Sequence, residues 1–144
     1  MKTIIILTIC FWFSTFCFAE LPPKAYLAMK RKAPEQLLLL VEEVRLDSTQ
    51  NHSEIIGDYI FRKVKITATV RQIYSSETSL QEGDTICIEY AEKILPPNSR
   101  FVDNPVKPML NKHTLYKSFL RIGKNSSYEL AADMHSFEKI SSKP

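Results

Sequence analysis

The sequence predicts a mainly β domain, and three runs of alternating side chains carry that prediction. In residues 64–74, Val64, Ile66, Ala68 and Val70 alternate with Lys65, Thr67, Thr69 and Arg71. In residues 85–90, Ile86, Ile88 and Tyr90 alternate with Thr85, Cys87 and Glu89. In residues 114–122, Tyr116, Ser118, Leu120 and Ile122 alternate with Leu115, Lys117, Phe119 and Arg121. Successive strand side chains point to opposite faces, so a period of two rich in β-branched residues marks a half-buried strand. Residues 75–84 turn the chain between the first two runs, with Gly83 able to take a positive φ. Those two runs therefore form an antiparallel hairpin.

From the N-terminus, residues 1–19 read as a cleavable signal peptide. Lys2 supplies a positive charge, an uncharged apolar stretch runs from Thr3 to Phe18, and Cys17 and Ala19 stand three and one before the expected cut. Cleavage is expected between Ala19 and Glu20. The rival is an uncleaved membrane anchor, but the stretch is shorter than the ~20 residues that span a bilayer. A lipidated cysteine is the other rival. Bulky Ile9 before Cys10 and Phe16 before Cys17 argue against it.

Residues 20–34 hold three prolines and the cluster Lys30, Arg31 and Lys32, and are expected to form an irregular arm before a single domain over residues 35–144. The cluster is either a solvated surface or an anionic contact patch. Residues 37–46 fit two readings. As a helix opened after Pro34, Leu37, Leu40, Val41 and Val44 share a face. As a strand, Leu37, Leu39 and Val41 face one side and Leu38 and Leu40 the other. Residues 47–58 read as a polar loop. Residues 95–108 carry four prolines and no period, which marks a crossover. Gly123, Lys124, Asn125 and Ser126 read as a turn. Residues 127–130 and 136–140 read as short strands around an interruption that contains Asp133, Met134 and His135.

Composition narrows the chemistry. Without residues 1–19 the chain keeps 18 basic and 16 acidic side chains, a net charge of +2. So small a charge creates no broad field toward nucleic acid or an anionic membrane. Cys87 becomes the lone cysteine, which leaves no intramolecular disulfide, so stability rests on the core. Cys87 reads as a small packed side chain, with an intermolecular disulfide as the alternative. Asn51 and Asn125 each open an N-glycosylation tripeptide, which matters only in a eukaryotic secretory pathway.

Three segments carry a family resemblance: residues 64–74, residues 80–90 with Gly83 at the turn, and residues 110–120 leading into Tyr116 and Leu120. Together they resemble small exported barrels of the oligonucleotide/oligosaccharide-binding (OB) type. The nearest variant is the netrin-like module shared with tissue inhibitors of metalloproteinases. The resemblance covers residues 37–140 and implies a five-stranded, partly closed barrel, with or without a short helix. It also makes residues 37–46 the first strand. Asn111 or Lys112 stands where that family places a glycine. The inhibitors approach a metal through a mature N-terminal cysteine. This chain is expected to begin at Glu20, so that role does not transfer.

No catalytic, cofactor-binding or metal-binding residue is assigned from the sequence. Three glycines make no phosphate-cradling loop, and His52, His113 and His135 have no paired ligand spacing. Asp133 and His135 offer two metal ligands without completing a site. Glu42 and Glu43, adjacent on a strand, are expected on opposite faces. Glu89 and Glu92 pair by sequence only. Lys65 and Arg71 share a strand face and Tyr74, Tyr90 and Tyr116 stand on strands, a pattern single-strand binders use. Export and near-neutral charge weigh against nucleic acid.

The expected function is a noncatalytic binding or protein-interaction module in the periplasm or outside the cell. Its partner is an unidentified protein or small ligand, with no stable membrane anchor after cleavage. Contacts are expected through residues 95–108 and the barrel loops. The alternative is a small hydrolase-like enzyme whose site assembles only in the fold, with Glu89, Asp133 and His135 as first candidates. Protease inhibition without an N-terminal cysteine is a third reading. The short leader and disulfide-free mature chain fit a bacterial periplasm.

Overall fold

The computed structural model describes residues 21–46, 60–94 and 110–140. Residues 1–19, read above as a signal peptide, and residues 47–58 and 95–108, read as a polar loop and a crossover, lie outside the described residues. A helix, α1 (Pro23–Arg31), leads into β1 (Glu35–Leu46). Then follow β2 (Ile60–Ser75), β3 (Thr85–Ile94), β4 (Leu115–Ile122), β5 (Tyr128–Leu130), a 3-10 turn (Asp133–Ser136) and β6 (Phe137–Lys139).

The strands hydrogen-bond in the order β1-β2-β3-β5-β4-β6, and a further pairing of β1 with β4 closes the first five into a barrel. All pairings are antiparallel except β3 with β5, which meet in parallel at Ile88 and Tyr128. This closed, mixed, five-stranded arrangement is consistent with an OB-like barrel, and β6 is an extra strand along β4. Closure limits exposed ladder edges, as expected of an OB-type barrel, and the β3–β5 seam of the ring is a single parallel bridge. β1 runs antiparallel to β4 from Glu35 opposite Leu120 to Leu40 opposite Leu115. Backbone bonds from Val41 N–H to Thr114 and from His113 N–H to Val41 extend the seam.

The alternation seen in sequence becomes the division between inside and outside. Leu37, Leu39 and Val41 of β1, Val64, Ile66, Ala68 and Val70 of β2, Ile86 and Ile88 of β3, and Tyr116 and Leu120 of β4 form one buried cluster. The two-way reading of residues 37–46 thus resolves to strand. A helix would bury a stripe of this run against one neighbour, whereas here both of its edges are paired.

The arm over residues 20–34 is not irregular throughout. Pro23 opens α1, where its fixed φ suits a first helical turn and its missing N–H costs nothing, and Lys30 and Arg31 occupy the last turn. The clustered prolines that suggested an arm instead mark a helix start.

The hairpin of β2 and β3 is as expected. Gly83 has a φ of 94°, and its N–H donates to the Val70 carbonyl at 2.7 Å. Asp84 completes the turn, with its carboxylate accepting the Gln81 N–H at 2.8 Å. The segment before β4 turns on His113, at a φ of 58°, beside the Asn111 and Lys112 positions where a glycine was expected. The buried Tyr116 hydroxyl anchors that turn by accepting the Asn111 N–H at 3.0 Å.

Candidate functional site

The strands place the chemically capable residues in three groups. The first is on the outside of the barrel, where β4, β1 and β2 lie side by side. The register sets Lys117 beside Leu38, which sits beside Gln72; one step along, Leu115 is beside Leu40, which sits beside Thr69. Phe119 also points outward, yet only 5% of it is exposed. Two cations cover its ring, the Lys30 ammonium at 5.2 Å and the Lys117 ammonium at 5.5 Å. Lys117 also lies 5.0 Å from the Tyr74 ring. Because β4 and β2 flank β1, the Lys117 side chain reaches across the outer surface of β1. Tyr74 itself is 47% exposed. The result is a surface of aromatic rings, cations and outward leucines held on rigid strands, which suits recognition by stacking and apolar contact.

The second group lies on the inward side of β2 and β3, near the end where β1 stops at Leu46. Arg62 stands opposite Glu92 in register, and its Nη2 and Nε donate to Glu92 Oε2 at 2.6 and 3.2 Å. Tyr90 faces Val64 one step further in. Burial pushes the Tyr90 phenol up to about 12, and the Glu92 carboxylate adds to that shift while Arg62 opposes it. Tyr90 is therefore a neutral hydrogen-bonding group at ordinary pH. A general acid or base works best when it titrates near the operating pH, so Tyr90 is poorly suited to that task.

The third group covers the outer face of β1, β2 and β3. Glu89 pairs with Lys63 at 3.1 Å and Lys65 at 3.5 Å. The hydrogen bond from Lys63 holds the Glu89 carboxyl below its ordinary value. Glu42 and Glu43 were expected on opposite faces, and that is corrected here. Val41 pairs with Ala68 but Glu43 pairs with Thr67, so Glu42 is the extra residue of a β-bulge. The Thr69 hydroxyl donates to Glu42 at 3.0 Å, and Glu43 pairs with Arg45 at 3.0 Å. Both glutamates thus reach the outer face. That hydrogen bond from Arg45 also lowers the Glu43 carboxyl.

The first enzyme candidates do not come together. Glu89 is occupied on the outside of β3, while Asp133 and His135 sit on the 3-10 turn, where the His135 ring stacks 4.0 Å from Tyr26. Among the described residues, no hydrogen bond or ion pair links Glu89 with Asp133 or His135, and no group of three His, Cys, Asp or Glu side chains could hold a metal. Glu92, paired in sequence with Glu89, faces the other side of β3.

The remaining expected residues scatter. Tyr116 is core, Tyr90 packs against the core and Tyr74 is outside. Lys65 and Arg71 are exposed, with Lys65 already paired. Cys87 is half-buried on the outer face opposite Thr67, while its neighbours Ile86 and Ile88 fill the core. His113 shapes a turn.

Sequence reading missed Glu35, a fully buried carboxylate at the start of β1. Its Oε1 accepts the Glu77 N–H at 3.0 Å, and its Oε2 has no hydrogen-bond partner. The signal was present, since Glu35 is in phase with Leu37, Leu39 and Val41.

No protein-family model matches the chain, and neither a curated protein nor a solved structure matches it.

Proposed function

We propose that the chain is an exported, noncatalytic binding or protein-interaction module whose main contact surface is the outer face of β4, β1 and β2. The observation that carries this reading is the outward apolar row of β1. Along a barrel strand, inward residues fill the core and outward residues meet solvent. Leu38 and Leu40 occupy outward positions, next to outward Leu115 and within a surface that includes the exposed ring of Tyr74. Aromatic and apolar anchors on a rigid scaffold are the groups that dominate interface energetics. The proline-rich residues 95–108 and the barrel loops contribute to the same recognition.

The netrin-like variant belongs to this proposal as its finer form. The barrel closure and the left-handed turn before β4 support it. It brings no metalloproteinase chemistry, because a chain starting at Glu20 has no cysteine at its terminus. The packed aliphatic interior supports recognition by the outside of the barrel rather than catalysis within it.

The test is crosslinking of the tagged protein in its exported compartment, beside a Leu40→Lys, Tyr74→Ala variant whose fold is checked by circular dichroism. A recurrent, near-stoichiometric partner of the unsubstituted chain that the variant loses supports the proposal. A partner kept by the variant moves the contact to another face. Recovery of no partner with either chain removes the interaction-module reading.

A further inference from the structure

Helix α1 sorts its residues by face. Ala25, Tyr26, Met29 and Lys30 are half-buried, whereas Lys24, Leu27, Ala28 and Arg31 are exposed. Residues three and four apart are neighbours on a helix, so the exposed set forms one continuous side. The inner side is fastened by Tyr26 stacking on His135 and by the Lys30 ammonium, 2.7 Å from Glu138. That ion pair neutralises Lys30.

The outer side presents two apolar residues among cations. Leu27 is 52% exposed, and Leu21, just before the helix, is 42% exposed. Residues 21–34 contain four basic side chains and no carboxylate. With Lys30 paired, Lys24, Arg31 and Lys32 remain as outward charge, so a near-neutral chain carries a local positive patch. This patch excludes Lys30, the α1 residue that covers Phe119 of the β4-β1-β2 surface.

We propose that the outer side of α1 rests on an anionic lipid surface. Leu21 and Leu27 enter the headgroup boundary while Lys24, Arg31 and Lys32 lie among the lipid phosphates. The chemistry is that of an interfacial helix, apolar side chains ringed by cations. A bilayer surface can receive isolated leucines without the matched pockets that a folded acidic partner would need. Chain order supports the same occupant. The uncharged apolar stretch from Thr3 to Phe18 is separated from Leu21 only by Ala19 and Glu20, so the expected export brings α1 beside a bilayer before the leader is cut. Charge attraction near such a surface is additive and screened by salt, and each cation removed weakens binding roughly fivefold.

The test uses the exported protein carrying Leu27→Trp and Trp12→Phe, so that position 27 holds the only tryptophan, excited selectively over tyrosine, whether or not the leader is removed. It is mixed with phosphatidylcholine vesicles containing phosphatidylglycerol and with phosphatidylcholine vesicles alone. The proposal predicts a blue-shifted emission with the anionic vesicles only, reversed by high salt. The same chain with Lys24→Glu, Arg31→Glu and Lys32→Glu is predicted to bind at least roughly a hundredfold more weakly. These positions are exposed, so thermal unfolding is expected to match the reporter chain. Equal emission with both vesicle types, no shift with either, or a shift that survives the charge reversal overturns the proposal. An acidic protein as the occupant appears as no shift with either vesicle.

Discussion

Glu35 shows how one side chain can be settled by its surroundings. On a strand whose inward neighbours are leucines, it takes an inward position and ties the loop after β2 to the barrel through the Glu77 N–H. A hydrogen bond contributes about 1 kcal/mol net. Glu35→Ala is expected to lower stability by about that amount, because it removes the bond to the Glu77 N–H. Glu35→Gln keeps an accepting oxygen for the Glu77 N–H, so its urea midpoint is expected above that of Glu35→Ala; the opposite order would show that the bond to Glu77 contributes nothing. Tyr90 gives a second prediction at this scale. Its ordinary value is 10.0 and the folded chain raises it to about 12. Below the first value both states hold the phenolic proton. Between the two, the unfolded chain releases it while the folded chain keeps it, so stability falls as pH rises through that window. Tyr90→Phe is expected to make that decline shallower, as read by thermal unfolding at several pH values from 10 to 12. The inward phase of Glu35 was legible in sequence, but its bond to Glu77 was not. Tyr90 and Glu92 share a face of β3 by their spacing, whereas the nearness of Arg62 comes from pairing across β2 and β3.

At the scale of elements, the β2–β3 hairpin was the most legible part of the chain. Period-two runs and a glycine are local signals, and the register follows from which face is apolar. Gly83 sits at a positive φ with no atom near the position of an added Cβ. Gly83→Ala is thus expected to cost about 1 kcal/mol through backbone strain alone, measured by urea denaturation. A far larger loss would mean that the turn does more than hold a left-handed residue. Helix α1 was less legible, because three prolines in a short segment outweigh nine residues of helical pattern. Its inner face is recognisable only once β6 and the 3-10 turn supply Glu138 and His135. The bulge at Glu42 was invisible for a related reason. An extra residue in one strand is defined by its partner strand, and the partner's identity is not written in β1.

For the whole molecule, the barrel's stability rests on aliphatic packing. Leu39 and Ile66 are fully buried in the shared cluster. Leu39→Ala is expected to destabilise the fold by about 2–5 kcal/mol, a cost of transfer plus cavity that chemical denaturation measures directly. A loss below 1 kcal/mol, by contrast, would indicate a loosely packed interior. The sequence by itself determined the mainly β class, three of the strands and their inward faces, and the turn at Gly83. Those features depend on alternation and backbone freedom, which act over a few residues. Tertiary structure alone decided that β1 pairs with β4 to close the barrel; that residues 37–46 are strand rather than helix was left open by periodicity and implied by the barrel resemblance. Tertiary structure also decided that Lys117 crosses β1 to Tyr74, that Glu42 and Glu43 share a face, and that Glu89 does not meet Asp133 or His135. Each of these depends on which distant segment supplies the neighbouring hydrogen bonds, charges and apolar surface, and a short-range pattern of side chains carries no record of that choice.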